Sequence, residues 1–280
     1  MATMIPKIVT IAGVDPSGGA GVLADIKTMS ALGGYGCGVI AALTAQNTKK
    51  VTGVQPIPAD FVRLQLKTLF EDVHIDAVKI GMLADPAVIK VVAEAIKRYK
   101  PTYVVIDPVM VAKSGDRLLP EDSVEALKTE LLPLATILTP NLPEAAALCG
   151  RSEEIKTESE MPALARELLE LMSSGSWLLL KGGHFNGPDV PDLLTDGQTD
   201  RILSARRIET KNTHGTGCTL SSAIATLLPQ TQSVPEAVQR AKEYLSSAIF
   251  HSDELAVGYG HGPVPVSYTH LRAHETGAYL

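Results

Sequence analysis

The run Lys211-Asn-Thr-His-Gly-Thr-Gly-Cys-Thr-Leu220, followed by the small residues of 221–225, has the makings of an anion site. Gly215, Thr216, Gly217 and Cys218 would set successive backbone N–H groups at the start of a helix, where the helix dipole adds roughly half a positive charge. Such a nest suits the charge on a phosphoryl group in transfer. Cys218 falls in the first turn, where a thiol pKa can drop from about 8.5 into the range of about 3.5–7.5. That makes it a candidate general base for a hydroxyl. A small buried cysteine is the alternative, and the glycine-rich surroundings favour the base.

Three further glycine-rich stretches, 13–21, 33–38 and 181–183, stand at predicted strand ends, where glycine allows close backbone approach to an anion. A Walker A loop is excluded, because no glycine is followed by lysine. Gly19, Gly21 and Ala24 spell G-x-G-x-x-A, but no acidic residue between Asp25 and Asp60 stands ready for the ribose of a dinucleotide. A plain tight turn leaves the polar set Asp15, Ser17 and Asp25 unexplained. Asn141 and Glu144 read as an N-cap and its capping partner. His214, a lone loop histidine, is read as hydrogen-bonded and structural. The polar loop 113–116 is read as a lid over substrate.

Short aliphatic runs at 8–12, 38–43, 77–80, 103–106, 135–138 and 177–180 read as strands. Helical segments are expected at 20–32, 60–71, 86–98, 122–132 and 161–172. In the second of these Phe61, Leu64, Leu66, Leu69 and Phe70 are the apolar members. This alternation predicts an α/β fold, a single domain over 1–264 with a mostly parallel central sheet and helices on both faces. Asp196–Gly197 marks a hairpin between 193–195 and 201–203, and two helices follow at 219–228 and 235–255. Residues 265–280 carry no period and are set apart as a disordered or non-native tail.

The 280 residues carry a net charge of −6. That balance argues against a nucleic-acid partner. With 45% hydrophobic residues and a mean hydropathy of +0.13, a sizeable core is available and disorder over most of the chain is excluded. Only 4% are aromatic, so the core rests on aliphatic side chains. Cys37, Cys149 and Cys218 form neither a disulfide framework nor a usual zinc motif. No apolar run reaches the ~20 residues of a membrane span. A soluble cytoplasmic protein is expected.

GTGC, together with IAGVDPSGGAG, ALTAQNT, KIGML, DPVM with AKSGD, LTPNLPEAAAL, LLLKGGH and TKNTHGTGCTLSSA, resembles the hydroxymethylpyrimidine/phosphomethylpyrimidine kinases of thiamin biosynthesis, in the ribokinase superfamily. The resemblance covers about residues 8–264. It implies phosphorylation, with ATP and Mg²⁺, of 4-amino-5-hydroxymethyl-2-methylpyrimidine and then of its monophosphate, by a homodimer. Cys218 would be the base and the amides of 215–218 the anion hole. Gln46 would bind the aminopyrimidine, offering a donor beside an acceptor. Met82 and Val109 would touch the ring, and Gly13 and Asp15 would face the hydroxymethyl end. Lys181 and Thr213 would lie at the nucleotide, and Glu144, Asp107 and Asn141 at the metal. Pyridoxal kinase and a non-catalytic pyrimidine-binding protein are the alternatives.

Overall fold

The computed structural model describes residues 4–110 and 120–268. Strands β1 (Lys7–Val14), β2 (Tyr35–Gln46), β3 (Val51–Pro56), β4 (Ala77–Ile80), β5 (Tyr103–Ile106), β6 (Ile137–Leu138), β7 (Trp177–Lys181), β8 (Asp189–Thr195) and β9 (Asp200–Arg206) form one sheet. Its order is β3-β2-β1-β4-β5-β6-β7-β8-β9. From β2 to β7 every neighbouring pair is parallel, while β3 at one edge and β8–β9 at the other run antiparallel. The helices are α1 (Gly21–Ala31), α2 (Ala59–Phe70), α3 (Pro86–Tyr99), α4 (Glu121–Ala126), α5 (Leu142–Leu148), α6 (Met161–Leu169), α7 (Thr216–Leu227) and α8 (Val234–Phe250).

Side-chain alternation along each strand decides which helices it meets. Val9, Ile11, Val78, Ile80, Val104, Ile106, Leu178 and Leu180 face a core shared with Val62, Leu66, Ile89 and Leu164, on the side of α2, α3 and α6. Ile8, Ala77, Val105, Ile137 and Leu179 face the opposite side, against Met29, Leu220, Ile224 and Tyr244 of α1, α7 and α8. Strands buried on both faces read as continuous apolar runs, which is why the sequence shows them so clearly.

Four expectations need correction. The second strand begins at Tyr35, so Gly36 and Gly38 lie inside β2, and the 33–34 turn sits at the entrance of that strand, away from the site. Strand β3, whose face is nearly all exposed, lacks an apolar run and escaped the sequence reading. On α2 the buried contacts are Val62 and Leu66, while Phe61 and Leu64 are more than half exposed. The helix expected at 122–132 is α-helical only over Glu121–Ala126, then widens over Leu127–Leu131 and tightens at Leu132–Leu134, where Pro133 lacks the N–H a regular helix needs.

The expected hairpin forms at Asp196, whose Oδ1 accepts from Gln198 N–H at 3.0 Å and Thr199 N–H at 2.8 Å, with strands longer than anticipated. The start of the set-apart tail is packed: Val266 is buried, its carbonyl accepts from Tyr244 Oη, and the Tyr268 ring lies against Tyr244 and His251. Residues 269–280, like the candidate lid at 113–116, fall outside the described residues.

Candidate active site

Each strand of the parallel stretch delivers a candidate residue from its C-terminal end, where open α/β sheets bind ligands. Asp15 follows β1, Gln46 ends β2, Met82 follows β4, Asp107 and Val109 follow β5, Asn141 follows β6, and Lys181 ends β7. These residues, with Gly13, Glu144, Thr213, Gly215, Thr216, Gly217 and Cys218, line one cavity of about 700 Å³.

Gly215 starts α7 at φ +74°, and a Cβ there would stand 1.7 Å from the Gly19 carbonyl oxygen, so only glycine fits this left-handed N-cap. The intrahelical ladder opens with Thr219 N–H donating to Gly215 O at 2.8 Å. Thr216 N–H turns back onto Thr213 O at 3.4 Å. Of the expected 215–218 amides, that of Thr216 is thus engaged within the loop, while those of Gly217 and Cys218 precede the ladder. Gly217 also keeps the turn close to charge: a Cβ there would meet Lys181 Nζ at 3.4 Å and Asp107 Oδ2 at 3.6 Å.

Asp107 is 1% exposed and gathers three donors, from β7, the residue after β6, and α7. Lys181 Nζ donates to Oδ1 at 3.2 Å, Thr139 Oγ1 to Oδ1 at 3.3 Å, and Ser221 Oγ to Oδ2 at 3.2 Å. Burial disfavours the Lys181 charge, but Asp107 and Glu144 outweigh it and hold the ammonium above its usual pKa. Asn141 and Glu144 make a capping box: Asn141 Oδ1 accepts from Glu144 N–H and Glu144 Oε2 accepts from Asn141 N–H, both at 2.8 Å. Burial pushes the Glu144 carboxyl up to about 7, with Lys181 pulling it down and Asp107 pushing it further up. The cap and the cavity-facing carboxylate are thus one and the same side chain.

Cys218 corrects the expectation of an acidic thiol. It keeps partial exposure to the cavity, yet the surrounding protein pushes the thiol up to about 11. Burial is the main cause; Lys79 opposes it, while the carboxylates Asp25 and Asp107 reinforce it. A helix N-terminus acidifies a thiol only where these terms do not prevail.

Lys79 is the residue that sequence reading missed. It sits in β4 between Val78 and Ile80, fully buried on the α1–α7 side, and lines the cavity. Its Nζ donates to both Asp25 oxygens at 2.8 and 3.0 Å. Asp25 also accepts from Thr10 Oγ1 at 2.6 Å and from Ser222 Oγ, one turn beyond Cys218, at 2.7 Å. Asp25 outweighs the burial that would discharge Lys79 and raises its pKa. A lysine inside an otherwise aliphatic strand was the available signal, since charge is carried into such a position only with a partner. Lys242 of α8, paired with Asp192 at 2.5 Å, is a second buried lysine at the cavity wall that went unnoticed.

At the other end, Gln46 is half-buried and its Oε1 lies 3.1 Å from Thr44 Oγ1. Met82 and Val109 offer apolar surface to the same space. Gly13 makes room for Met82, whose Cε would be 2.6 Å from an added Cβ. Asp15 Oδ2 meets His214 Nε2 at 2.7 Å and its carboxylate accepts from Ser17 Oγ, Ser17 N–H and Ala20 N–H. Burial opposes its charge, but His214 and Ser17 outweigh that and hold the carboxyl below the usual range. His214 is buried and hydrogen-bonded, as read from the sequence.

The chain is similar to known proteins over most of its length. Residues 15–265 match the family described as Phosphomethylpyrimidine kinase. The hydroxymethylpyrimidine/phosphomethylpyrimidine kinase of Escherichia coli K12 is 52% identical over 255 residues, 91% of this chain and 95% of that protein. Its counterpart in Rhizobium meliloti is 50% identical over 256 residues, 91% and 94% of the two chains. Among solved structures, an ADP complex of Bacillus subtilis pyridoxal kinase superposes with a TM-score of 0.87 at 37% identity, covering 96% of this chain and all of that one. The phosphomethylpyrimidine kinase of Clostridium difficile 630 gives 0.76 at 41% identity, covering 87% and 99%. No helix among the described residues is long and apolar enough to cross a membrane. The chain is a ribokinase-like α/β protein and belongs to the phosphomethylpyrimidine kinase family.

Proposed function

We propose that this protein transfers the γ-phosphoryl group of ATP to the hydroxymethyl group of 4-amino-5-hydroxymethyl-2-methylpyrimidine, and then phosphorylates the monophosphate so formed, in thiamin biosynthesis. One observation carries the reading: a glycine-capped helix start, a side-chain amide and the pair Asp107–Lys181 open on one cavity at the C-terminal ends of the parallel strands. Gln46 recognises the ring nitrogen and exocyclic amine, with Met82 and Val109 against the ring and Gly13 and Asp15 near the hydroxymethyl carbon. The amides of Gly217 and Cys218 meet the oxygens of the transferring group. Lys181 and Thr213 lie toward the phosphates of the donor.

Cys218 takes the hydroxyl proton. In the resting protein it is a thiol, so it first loses its own proton to solvent at the cavity, and Lys79 is the cation favouring the thiolate that then accepts the hydroxyl proton. Mg²⁺, when bound with the nucleotide, neutralises phosphate oxygens. Glu144 and Asp107, with Asn141 beside them, are the oxygen donors that would hold it. Among the described residues no group of three His, Cys, Asp or Glu side chains could hold a metal. That donor set fits an ion bound mainly by phosphate and water, as Mg²⁺ prefers. The single domain is taken to run over 1–264 and to work in the cytoplasm. A homodimer joined at the β2–β3 edge and α2 would cover the exposed Leu43, Val54, Phe61 and Leu64.

The deciding experiment is a product-resolved kinase assay on the pyrimidine alcohol, its monophosphate and pyridoxal in parallel. Both pyrimidines should be phosphorylated, with the higher kcat/KM over pyridoxal. Preference for pyridoxal would move the protein to the vitamin B6 kinases that share its fold, and no consumption of ATP would leave a binding protein.

A further inference from the structure

The segment 258–263, between α8 and the buried Val264, has no part in the chemistry above, yet it touches both halves of the site. On one side it grips the tip of the β2–β3 ribbon. Gly260 N–H donates to Thr48 Oγ1 at 3.1 Å and His261 N–H donates to Thr48 O at 2.9 Å. The approach is close enough to demand glycine: a Cβ on Gly260 would stand 2.1 Å from Thr48 O. A Cβ on Gly258, at φ +68°, would stand 2.3 Å from Thr48 Oγ1. Lys49 Nζ lies 5.5 Å from the Tyr259 ring centre.

On the other side the same segment holds the loop entering α7. His214 N–H donates to Gly262 O at 3.0 Å, and His214 pairs with Pro263 in a parallel bridge. His214 adjoins the N-cap Gly215, and Thr48 stands two residues beyond Gln46. Among the described residues strand β3 pairs only with β2 and presents a nearly wholly exposed face, so within one protomer the ribbon tip has little other packing to fix it. A two-stranded ribbon is marginal by itself.

Resting on the assignment of Gln46 to the pyrimidine, we propose that Thr48 is a positioning residue: through residues 258–263 it sets the separation between the Gln46 amide and the Gly217–Cys218 amides. Its hydroxyl and carbonyl hold the ribbon tip at a fixed distance from His214, and the site is spanned by one short strap. A misplacement at Thr48 moves the ribbon tip, which carries Gln46 and none of the residues assigned to the donor nucleotide, while the hydrogen bond from His214 N–H to Gly262 O stays in place.

The test is steady-state kinetics of the full chain carrying Thr48→Val, Thr48→Ser, Gly260→Ala and Gln46→Ala, with the double variants. Thr48→Val keeps the shape and removes one hydrogen-bond acceptor, so KM for the pyrimidine alcohol should rise about 3–10-fold. Thr48→Ser should restore it, and KM for ATP should stay within about twofold. In the Gln46→Ala background, Thr48→Val or Gly260→Ala should add less than about twofold, because both act through Gln46. Equal rises in both KM values, or fully additive effects beside a raised KM in Gln46→Ala, would overturn the positioning role alone. An unchanged alcohol KM in Gln46→Ala would overturn the pyrimidine assignment and this role with it. Should Gly260→Ala fail to fold, the Thr48 pair decides by itself.

Discussion

At the proposed phosphoryl end of the cavity the donors are backbone amides, held where α7 meets the middle of the parallel sheet. Around them stand Lys79, Asp25 and Asp107, each almost wholly buried, and the partly buried Lys181, in fixed pairs. At the proposed pyrimidine end stands one half-buried side-chain amide, Gln46, at the tip of an edge ribbon, braced by Thr44 and the strap. Charge transfer in a loose transition state rewards preorganised dipoles, and only the sheet centre can hold them rigidly. Discrimination between alcohols asks for a replaceable side chain, and an edge position lets that change without disturbing the core.

The division is broken most sharply at Cys218. Cys218→Ala should lower kcat by about 10²–10⁴, the range for loss of a general base, with KM for the alcohol nearly unchanged; stopped-time product analysis reads it. A near-parental kcat would make the cradle a matter of amides alone. Next comes the buried pair. Lys79→Met leaves Asp25 charged and unpaired, so stability should fall by about 3–5 kcal/mol in urea unfolding. The double change Lys79→Met with Asp25→Leu should recover a large part of it.

A smaller effect is expected at the other end. Gln46→Ala should weaken pyrimidine binding by about 1–3 kcal/mol through unmet polar partners, measured by calorimetry, while ATP binding holds. A further effect, on pH dependence, is expected at Glu144. Its folded pKa of about 7 exceeds the ordinary 4.5, so the folded protein holds an additional proton between those values. The contribution of Glu144 to stability is then greatest below pH 4.5 and declines as pH rises through 7. Glu144→Gln should flatten that decline in unfolding midpoints measured from pH 4.5 to 7.5.

The central strands, the helix starts and the candidate residues were legible because each is marked locally. Continuous aliphatic runs betray strands covered on both faces, and Gly-Thr-Gly before small residues betrays a helix N-terminus. Asn-x-x-Glu announced its capping box. What escaped was set by neighbours distant in sequence. Strand β3 has no buried face of its own and exists by pairing with β2. Phe61 and Leu64 have helical spacing with Leu69 and Phe70, yet the sheet meets the face that carries Val62 and Leu66.

Residue order alone therefore determined the parallel α/β architecture, the glycine-capped start of α7 and many of the residues that share its cavity, since these follow from hydrophobic period, glycine geometry and capping. Tertiary structure decided their electrical state. Burial beside Asp25 and Asp107 turned an expected thiolate into a thiol with a pKa of about 11, and burial raised Glu144 to about 7. It also brought Lys79 to Asp25 and Thr48 to Gly260, 54 and 212 positions apart. Desolvation and Coulomb interaction depend on distance in space, and distance along the chain does not encode it.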